Sequence, residues 1–224
     1  MFDRLIKITG EDAFSKIKNA KVLIVGIGGV GGYALECLVR SGVEDITIVD
    51  GDVIEASNLN RQIIALNDTL SKPKVETAAS RSKNINPNVK INAINLFLDA
   101  NNIDEIFNIN YDYIIDACDT ITTKVELIKK ALEQDIKIIS CMGTGNRMDP
   151  TKIQITKLNK TVNDPLAKVM RKLLKDANIQ LNIPVVWSND LPIKTANRTP
   201  GSCITVPMAA GSALASFVLN DIIK

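Results

Sequence analysis

The sequence KVLIVGIGGVG, residues 21–31, decides the fold class of this chain. Its first part, Lys21–Gly26, is a short apolar run rich in β-branched residues, which is typical of a strand covered on both faces. Glycines follow the strand, at Gly26, Gly28, Gly29 and Gly31. They let the backbone approach a phosphate at the start of the next helix, where N–H groups lack partners. We therefore expect a nucleotide-binding turn between this strand and a helix running to about Ser41.

The rest of the chain alternates between strand and helix patterns. Short apolar runs predict strands at Asp45–Asp50, Val89–Leu96, Tyr113–Ala117 and Ile136–Cys141. Helical spacing of apolar residues predicts helices at Pro73–Asn86 and Thr122–Glu133. Strands that alternate with helices in this way form βαβ units. The expected fold is α/β, a doubly wound, Rossmann-like, mostly parallel sheet.

The pattern changes after Gly145. Ile153–Leu158 and Pro184–Ser188 predict further strands, and the last apolar tract, Ile204–Ile223, predicts a packing helix. We expect a Rossmann-like core over residues 1–145 and a smaller, irregular C-terminal part over residues 146–224, both within one compact domain.

The composition excludes several kinds of catalysis. The chain has 224 residues, of which 46% are hydrophobic and 23% charged, as in an average soluble globular domain. It contains no histidine. Ser-His-Asp and Cys-His catalysis and histidine-based metal sites are therefore excluded. Carboxylate, lysine, arginine, cysteine and hydroxyl chemistry remain.

The cysteines and the termini indicate a cytoplasmic protein without membrane insertion. Four cysteines are present and none forms a C-x-x-C pair, which argues against a zinc site. Charged residues interrupt the first positions, so no signal peptide is expected. The C-terminal apolar tract contains Pro207, Gly211 and Asp221, which favour a buried helix over a membrane span.

Polar residues beyond the glycines identify the nucleotide. Asp50 ends the second predicted strand, where a carboxylate meets ribose hydroxyls, but this pattern alone fits NAD and ATP equally. Further polar residues follow at Asp52, Asn58, Arg61, Gln62, Lys74 and Asp119. The cations among them suit a triphosphate, which carries about four negative charges. Asp119 suits the Mg²⁺ that neutralises those charges, because Mg²⁺ prefers oxygen ligands.

These motifs resemble those of the adenylating enzymes of the ubiquitin-activating superfamily. The similarity rests on GIGGVG, on Asp50 and Asp52, on NLNRQ at residues 58–62, on KPKVE at residues 72–76 and on Asp119. It implies that the chain binds Mg-ATP and activates a carboxylate as an acyl-adenylate. It further implies that Asp50 holds the ribose, that Asn58, Arg61 and Lys74 hold the phosphates and that Asp119 holds magnesium. Arg4 corresponds to an arginine that reaches the partner's triphosphate in homodimeric members.

Within that superfamily the chain is most similar to the tRNA threonylcarbamoyladenosine dehydratases. The shared segments are DPT at residues 149–151, DPLAKVMR at 164–171, VVWS at 185–188 and PGS at 200–202. This resemblance implies ATP-dependent closure of the threonylcarbamoyl group to its cyclic form, on the tRNA adenosine next to the anticodon. Many relatives have a longer, often cysteine-rich loop where this chain has only Asn189–Thr199.

A basic segment offers a surface for tRNA. Residues 152–175 contain seven basic residues and one acid, while the whole chain carries a net charge of only +2. Asp164 and Pro165 predict a helix start. One face of that helix carries Lys168, Arg171, Lys172 and Lys175, and the opposite face carries Leu166, Val169, Met170, Leu173 and Ala177. The basic face is either solvated or contacts phosphates, and the resemblance to tRNA-modifying enzymes favours phosphate contact.

Two other functions stay open from the sequence. The first is adenylation of the C-terminus of a ubiquitin-like sulfur-carrier protein in thiamine or molybdopterin synthesis, although such enzymes commonly carry two C-x-x-C pairs. The second is an NAD-dependent oxidoreductase or a non-catalytic nucleotide-binding module. A monovalent cation and a sulfur- or electron-transfer partner also stay open.

Overall fold

A computed structural model, which describes residues 1–196 and 199–224, places a seven-stranded sheet at the centre of the molecule. The strands are β1 (Lys21–Val25), β2 (Asp45–Val49), β3 (Lys90–Ile94), β4 (Tyr113–Asp116), β5 (Lys137–Cys141), β6 (Ile153–Lys157) and β7 (Pro184–Ser188). Their order is β3-β2-β1-β4-β5-β7-β6. Only β6 runs antiparallel to its neighbour. The predicted mostly parallel sheet is confirmed.

Seven α-helices accompany the strands in the described part of the chain. They are α1 (Asp3–Thr9), α2 (Glu11–Asn19), α3 (Gly31–Arg40), α4 (Lys74–Ile85), α5 (Ile121–Glu133), α6 (Pro165–Asp176) and α7 (Thr205–Ile222). Each helix and strand predicted from the sequence is present, with ends shifted by a few residues at most. Helices α1 and α2, for which the sequence analysis made no prediction, precede the first strand.

Alternate residues of each central strand enter two different hydrophobic cores. In β1, Val22 and Ile24 belong to a core that includes residues of α3 and α7. Leu23 and Val25 belong to the other core, which includes residues of α5 and α6. The near-continuous apolar sequence of β1 therefore reflects burial on both faces of the sheet. None of the helices in residues 1–196 and 199–224 is long and apolar enough to cross a membrane.

The C-terminal part of the chain continues the same sheet. Strand β7 pairs in parallel with β5, and β6 then forms the edge. Helix α7 packs against α3, and this close approach needs a glycine. A Cβ at Gly211 would lie 2.4 Å from the carbonyl oxygen of Val30.

The buried face of α6 differs from the prediction. The structure buries Ala167, Met170 and Leu174, while Val169 and Ala177 are exposed. The predicted apolar face and the observed buried face both have helical spacing, and both contain Met170. Periodicity therefore could not distinguish between them. Ala167, Met170 and Leu174 instead pack into the core that includes residues of α5. The start of the helix is also held by its cap. Asp164 accepts a hydrogen bond from Ala167 N inside the helix and one from Gly143 N outside it.

Candidate active site

The main cavity, of about 620 Å³, lies at the carboxyl ends of the parallel strands. Its lining includes Val25 of β1, Val49 of β2, Cys141 of β5 and the residues that follow β4. Strand β1 lies between β2 and β4, so the chain crosses from one side of the sheet to the other at this point. Open α/β sheets bind ligands in such a crevice.

The four glycines of the first turn have two different roles. Gly26 has a φ of +88°, and a Cβ there would lie 2.7 Å from the carbonyl oxygen of Ala117. A Cβ at Gly31 would lie 1.8 Å from Gly26 O. These two glycines therefore allow close backbone packing. Gly28 and Gly29 line the cavity. A Cβ at Gly28 would meet nothing nearer than 3.9 Å, so this backbone is open to a ligand at the start of α3.

Asp50 is held by backbone donors on both carboxylate oxygens. Oδ2 accepts from Ile27 N at 2.7 Å, and Oδ1 accepts from Asp52 N at 2.9 Å. Burial raises the pKa of Asp50 above its ordinary value, and the nearby Lys74 ammonium and the two backbone hydrogen bonds offset part of this rise. The carboxylate is thus oriented by the backbone rather than by a mobile partner.

Lys74 is buried at the first position of α4 and faces two carboxylates. Its Nζ lies 2.5 Å from Asp52 Oδ2 and 3.8 Å from Asp50 Oδ1. All three residues line the cavity. The Lys74 charge is therefore neutralised by acids, and the Asp52 side chain is half exposed.

Asn58, Arg61 and Gln62 reach the cavity from the loop after β2. Arg61 donates to the carbonyl oxygen of Ser57 at 2.7 Å and to Asn60 Oδ1 at 3.0 Å, both uncharged acceptors. Within the described residues no carboxylate pairs with Arg61, so its charge is available to an anion. Asn58 is buried and its Oδ1 accepts from Glu55 N. Gln62 is also buried, and its Oε1 has no hydrogen-bond partner in the structure.

Asp119 follows β4 and is an exposed carboxylate in the cavity wall. No cluster of three acidic or cysteine side chains that could hold a metal is present in the described chain. A single carboxylate fits Mg²⁺, because this ion keeps several waters and takes its remaining ligands from phosphates.

Arg4 lies far from the cavity of its own chain. It is an exposed residue of α1. Leu5 and Ile8 of this helix line a second groove of about 330 Å³ together with Cys37 and Ser41, at the C-terminal end of α3. The main cavity lies at the opposite end of α3, about 15 Å away for ten residues of helix. Arg4 does not line it.

The basic residues of α6 differ in exposure, because three are exposed to solvent and one is held by hydrogen bonds within the protein. Lys168, Lys172 and Lys175 are exposed. Arg171 is half-buried, and its Nη1 donates to Thr161 O at 3.0 Å and to the Thr161 hydroxyl. Arg171 therefore has a structural role whatever the basic face binds. Leu166, in the first turn of α6, lines the main cavity.

Two buried cations near the cavity were missed by the sequence analysis. Lys124 pairs with Asp116, and Arg147 pairs with Asp164, with none of these four side chains more than 1% exposed. A signal for the first pair was present, because Asp116 places a charge inside an otherwise apolar strand. The partner lies eight residues away on a helix, and the helical pattern gives no sign of it.

Most thiols near the cavity are poor nucleophiles. Burial raises the pKa of Cys118 well above its ordinary value and raises that of Cys141 to about 12. Cys203 differs, since hydrogen bonds from Thr205 lower its pKa and its thiol is reachable by solvent. Since the thiolate is the reactive form, Cys118 and Cys141 are inert at neutral pH.

Comparison with known proteins shows the family of this chain and its relatives. The ThiF family model matches residues 2–170. The chain is 36% identical to the tRNA threonylcarbamoyladenosine dehydratase of Bacillus subtilis, over 100% of the chain and 94% of that protein. It is 32% identical to a molybdopterin-synthase adenylyltransferase of Haemophilus influenzae, over 76% of the chain and 68% of that protein.

A solved structure is similar over nearly the whole chain. It is the crystal structure of Escherichia coli tRNA N6-threonylcarbamoyladenosine dehydratase, TcdA, in complex with ATP. The TM-score is 0.93 at 32% identity, and the match covers 99% of this chain and 93% of that one.

Proposed function

The chain belongs to the ThiF family, and from this premise we infer that it is an ATP-dependent tRNA threonylcarbamoyladenosine dehydratase. It activates the carboxylate of threonylcarbamoyladenosine, next to the tRNA anticodon, and closes the group to its cyclic form. The observation that carries this inference is the cavity at the strand ends. An open glycine turn, an unneutralised Arg61 and the buried Lys74 all line it, as a polyphosphate requires.

We assign roles in nucleotide binding to the residues that line the cavity. The Asp50 carboxylate, held by two backbone donors, accepts hydrogen bonds from the ribose hydroxyls. Gly28 and Gly29 offer backbone to the phosphates, and Arg61 binds their oxygens. Lys74 exchanges its contact with Asp52 for the phosphates when the nucleotide enters. Asn58 and Gln62 complete the wall, and the unpartnered Gln62 Oε1 gains a donor there.

The chemistry needs activation and positioning. A carboxylate is a poor electrophile because its leaving group would be oxide; ATP, when bound, supplies the group that makes this oxygen able to leave. The attacking nucleophile already belongs to the same substituent, so the ring closes within one molecule as the activated oxygen departs. Arg61 and Lys74 stabilise the negative charge that develops on the phosphates. No covalent enzyme intermediate is needed, in keeping with the protonated Cys118 and Cys141 thiols.

Magnesium is assigned to Asp119. The exposed carboxylate is the acidic side chain that follows β4 in the cavity wall, and the ion would neutralise charge on the phosphates. A monovalent cation gains no support from an acidic or cysteine cluster in the described chain.

We further propose a homodimer in which Arg4 completes the partner's site. Arg4 lies at the far end of α3 from its own cavity, so it can serve a triphosphate only in another subunit. The exposed Leu59, Met148, Ile204 and Met208 provide apolar surface that a second subunit can cover.

tRNA binding is proposed for Lys168, Lys172 and Lys175. These exposed lysines lie on α6, and the first turn of the same helix lines the cavity through Leu166. Phosphates bound along α6 would therefore bring the anticodon loop to the mouth of the cavity. Arg171 contributes by holding the segment around Thr161 in place. A tRNA substrate also supports a cytoplasmic location.

Mass spectrometry of tRNA nucleosides tests the reaction. tRNA that carries threonylcarbamoyladenosine is incubated with the protein and Mg-ATP, and we expect a nucleoside lighter by one water. Unchanged nucleosides, together with ATP–pyrophosphate exchange that depends on a ubiquitin-like carrier protein, would assign the chain to sulfur-carrier adenylation instead.

A further inference from the structure

A fully buried ion pair joins α5 to the end of β4, directly behind the cavity wall. Lys124 Nζ lies 3.0 Å from Asp116 Oδ1 and 2.9 Å from Oδ2, and both side chains are 0% exposed. The pKa of Lys124 is raised because the attraction of Asp116, with further contributions from neighbouring groups, exceeds the cost of burial. Lys124 therefore keeps its proton beside the Asp116 carboxylate.

The same ammonium connects strand β5 to this pair. It donates to Cys141 O at 2.8 Å and contacts Ser140 Oγ at 3.4 Å, and the Ser140 hydroxyl also donates to Asp116. The neighbouring Thr123 donates from its hydroxyl to Leu98 O at 2.8 Å. The first turn of α5 thus holds the segment that follows β3 and the carboxyl ends of β4 and β5. Among these residues, Leu98, Thr123 and Cys141 line the cavity.

Asp116 also shapes the turn that carries the proposed magnesium ligand. Its Oδ1 accepts from Cys118 N at 3.3 Å and from the Cys118 thiol at 3.1 Å. On the other side of this turn, Gly26 approaches so closely that a Cβ would lie 2.8 Å from Cys118 N. The turn is therefore fixed from both sides, one residue before Asp119.

We propose that Lys124 is a positioning residue. Through Asp116 it holds the turn at residues 117–119, so that the Asp119 carboxylate faces the metal of bound Mg-ATP. This inference rests on the proposed function, because it concerns the metal used with ATP. It extends that function to a residue outside the cavity lining.

Stability alone does not explain why Lys124 and Asp116 are buried as an ion pair. Two charges lose their hydration on burial, and apolar side chains of similar volume often serve equally well or better. Here the Asp116 carboxylate accepts hydrogen bonds from Lys124, Ser140 and Cys118, and Cys118 lines the cavity. Removing a group that is hydrogen-bonded directly to a metal ligand commonly changes metal affinity by about 10–100-fold. Because Asp116 acts through the turn at Cys118, we expect the lower end of this range.

Electron paramagnetic resonance of Mn²⁺ provides the test, since Mn²⁺ substitutes for Mg²⁺ and its bound form is detected without turnover. The metal is titrated into each protein with saturating ATP, and ATP affinity is measured separately without metal. The first variant, Lys124→Met with Asp116→Asn, removes both charges and leaves no unpaired buried ion. The second, Ser140→Ala, removes one contact of the network. Lys129→Met, on the exposed side of the same helix, is the matched control.

We expect the double variant to bind Mn²⁺ with ATP about tenfold or more weakly than the unchanged protein. Ser140→Ala should weaken this binding by a smaller factor, and Lys129→Met should leave it unchanged. ATP binding without metal should persist in every variant. If the double variant does not fold, Ser140→Ala decides the question. Metal affinity within twofold of the parent in the folded variants would overturn the proposal.

The result is separable from that of the tRNA experiment. If the double variant binds Mn²⁺ more weakly although the parent protein does not act on tRNA, this result supports the role of Lys124 and removes the substrate assignment. A parent protein that binds no Mn²⁺ in the presence of ATP overturns both.

Discussion

At the scale of single residues, the two cations in the cavity differ in their partners. Lys74 lies between two carboxylates, and Arg61 donates only to neutral oxygens. The sequence predicted both residues because cations beyond the glycine turn suit a triphosphate, and because NLNRQ and KPKVE resemble motifs of adenylating enzymes. It could not predict the Lys74–Asp52 contact, nor Lys124 and Arg147, because the pairing of distant side chains depends on packing.

Replacing either of the two cations proposed to bind phosphate should remove ATP-dependent turnover. We expect Lys74→Ala and Arg61→Ala each to lower turnover by about a hundredfold or more, since each removes a donor to developing charge. Turnover is followed as cyclic nucleoside formed per minute, and tRNA binding should persist. Lys72→Ala, two positions before Lys74, serves as the control. Full activity in both variants would remove these side chains from the site.

The thiols should differ in reactivity with pH. Cys203 has a lowered pKa and a solvent-accessible thiol, so iodoacetamide should modify it first at neutral pH. Cys141 has a pKa raised to about 12, so its thiolate becomes abundant only as the pH rises towards that value. Peptide mass mapping after timed alkylation gives the order in which the cysteines are modified. Early modification of Cys141 in the folded protein would contradict the assigned protonation state.

At the scale of elements, strand positions were predicted well and helix orientation less well. Buried parallel strands such as β1 and β5 are continuous apolar runs whose limits are visible in the sequence. The face that α6 buries packs into a core shared with α5, and its cap residue Asp164 also bonds Gly143 across a gap of 21 residues. Periodicity predicts neither contact. Residues 189–196 and 199 of the predicted short loop are described, and the rest of that loop lies outside the described residues.

The exposed lysines of α6 should contribute to tRNA affinity through phosphates. Replacing Lys168, Lys172 and Lys175 by Gln should weaken tRNA binding and make its logarithmic salt dependence less steep by about 2, at roughly 0.7–0.9 per contact. Filter binding at several salt concentrations measures both quantities. The control replaces three exposed lysines elsewhere, Lys7, Lys16 and Lys83.

Arg171 should behave differently from these lysines. Arg171→Gln should lower the melting temperature, because the Thr161 segment loses its hydrogen-bond donor.

The triple lysine variant also has a contradicting outcome. If its tRNA affinity and the salt dependence of that affinity are unchanged, the basic face of α6 is only solvated.

At the scale of the whole molecule, Arg4 does not line the cavity of its own chain. The fold class was predictable because every level of the sequence, from the glycine turn to the strand spacing, agreed on it. Assembly was predicted only from the resemblance to dimeric enzymes, since no periodic pattern reports which surface a second subunit covers.

Mixing two inactive variants should restore activity if sites are completed across a twofold interface. Arg4→Ala removes the residue given to the partner, and Lys74→Ala damages the residue kept in the chain's own cavity. After equal mixing and subunit exchange, about one site in four should contain neither lesion. Nucleoside mass spectrometry measures the recovered turnover. No recovery despite proven exchange would place Arg4 and Lys74 in the same site or outside any site.

A crystal structure with a non-hydrolysable ATP analogue tests the central claim most directly. We predict the ribose against Asp50, the triphosphate along the backbone of Gly28 and Gly29, and both Arg61 and Lys74 within hydrogen-bond distance of phosphate oxygens. A nucleotide bound elsewhere, or a Lys74 that still faces Asp52 while the triphosphate lies away from the glycine turn, would contradict the account.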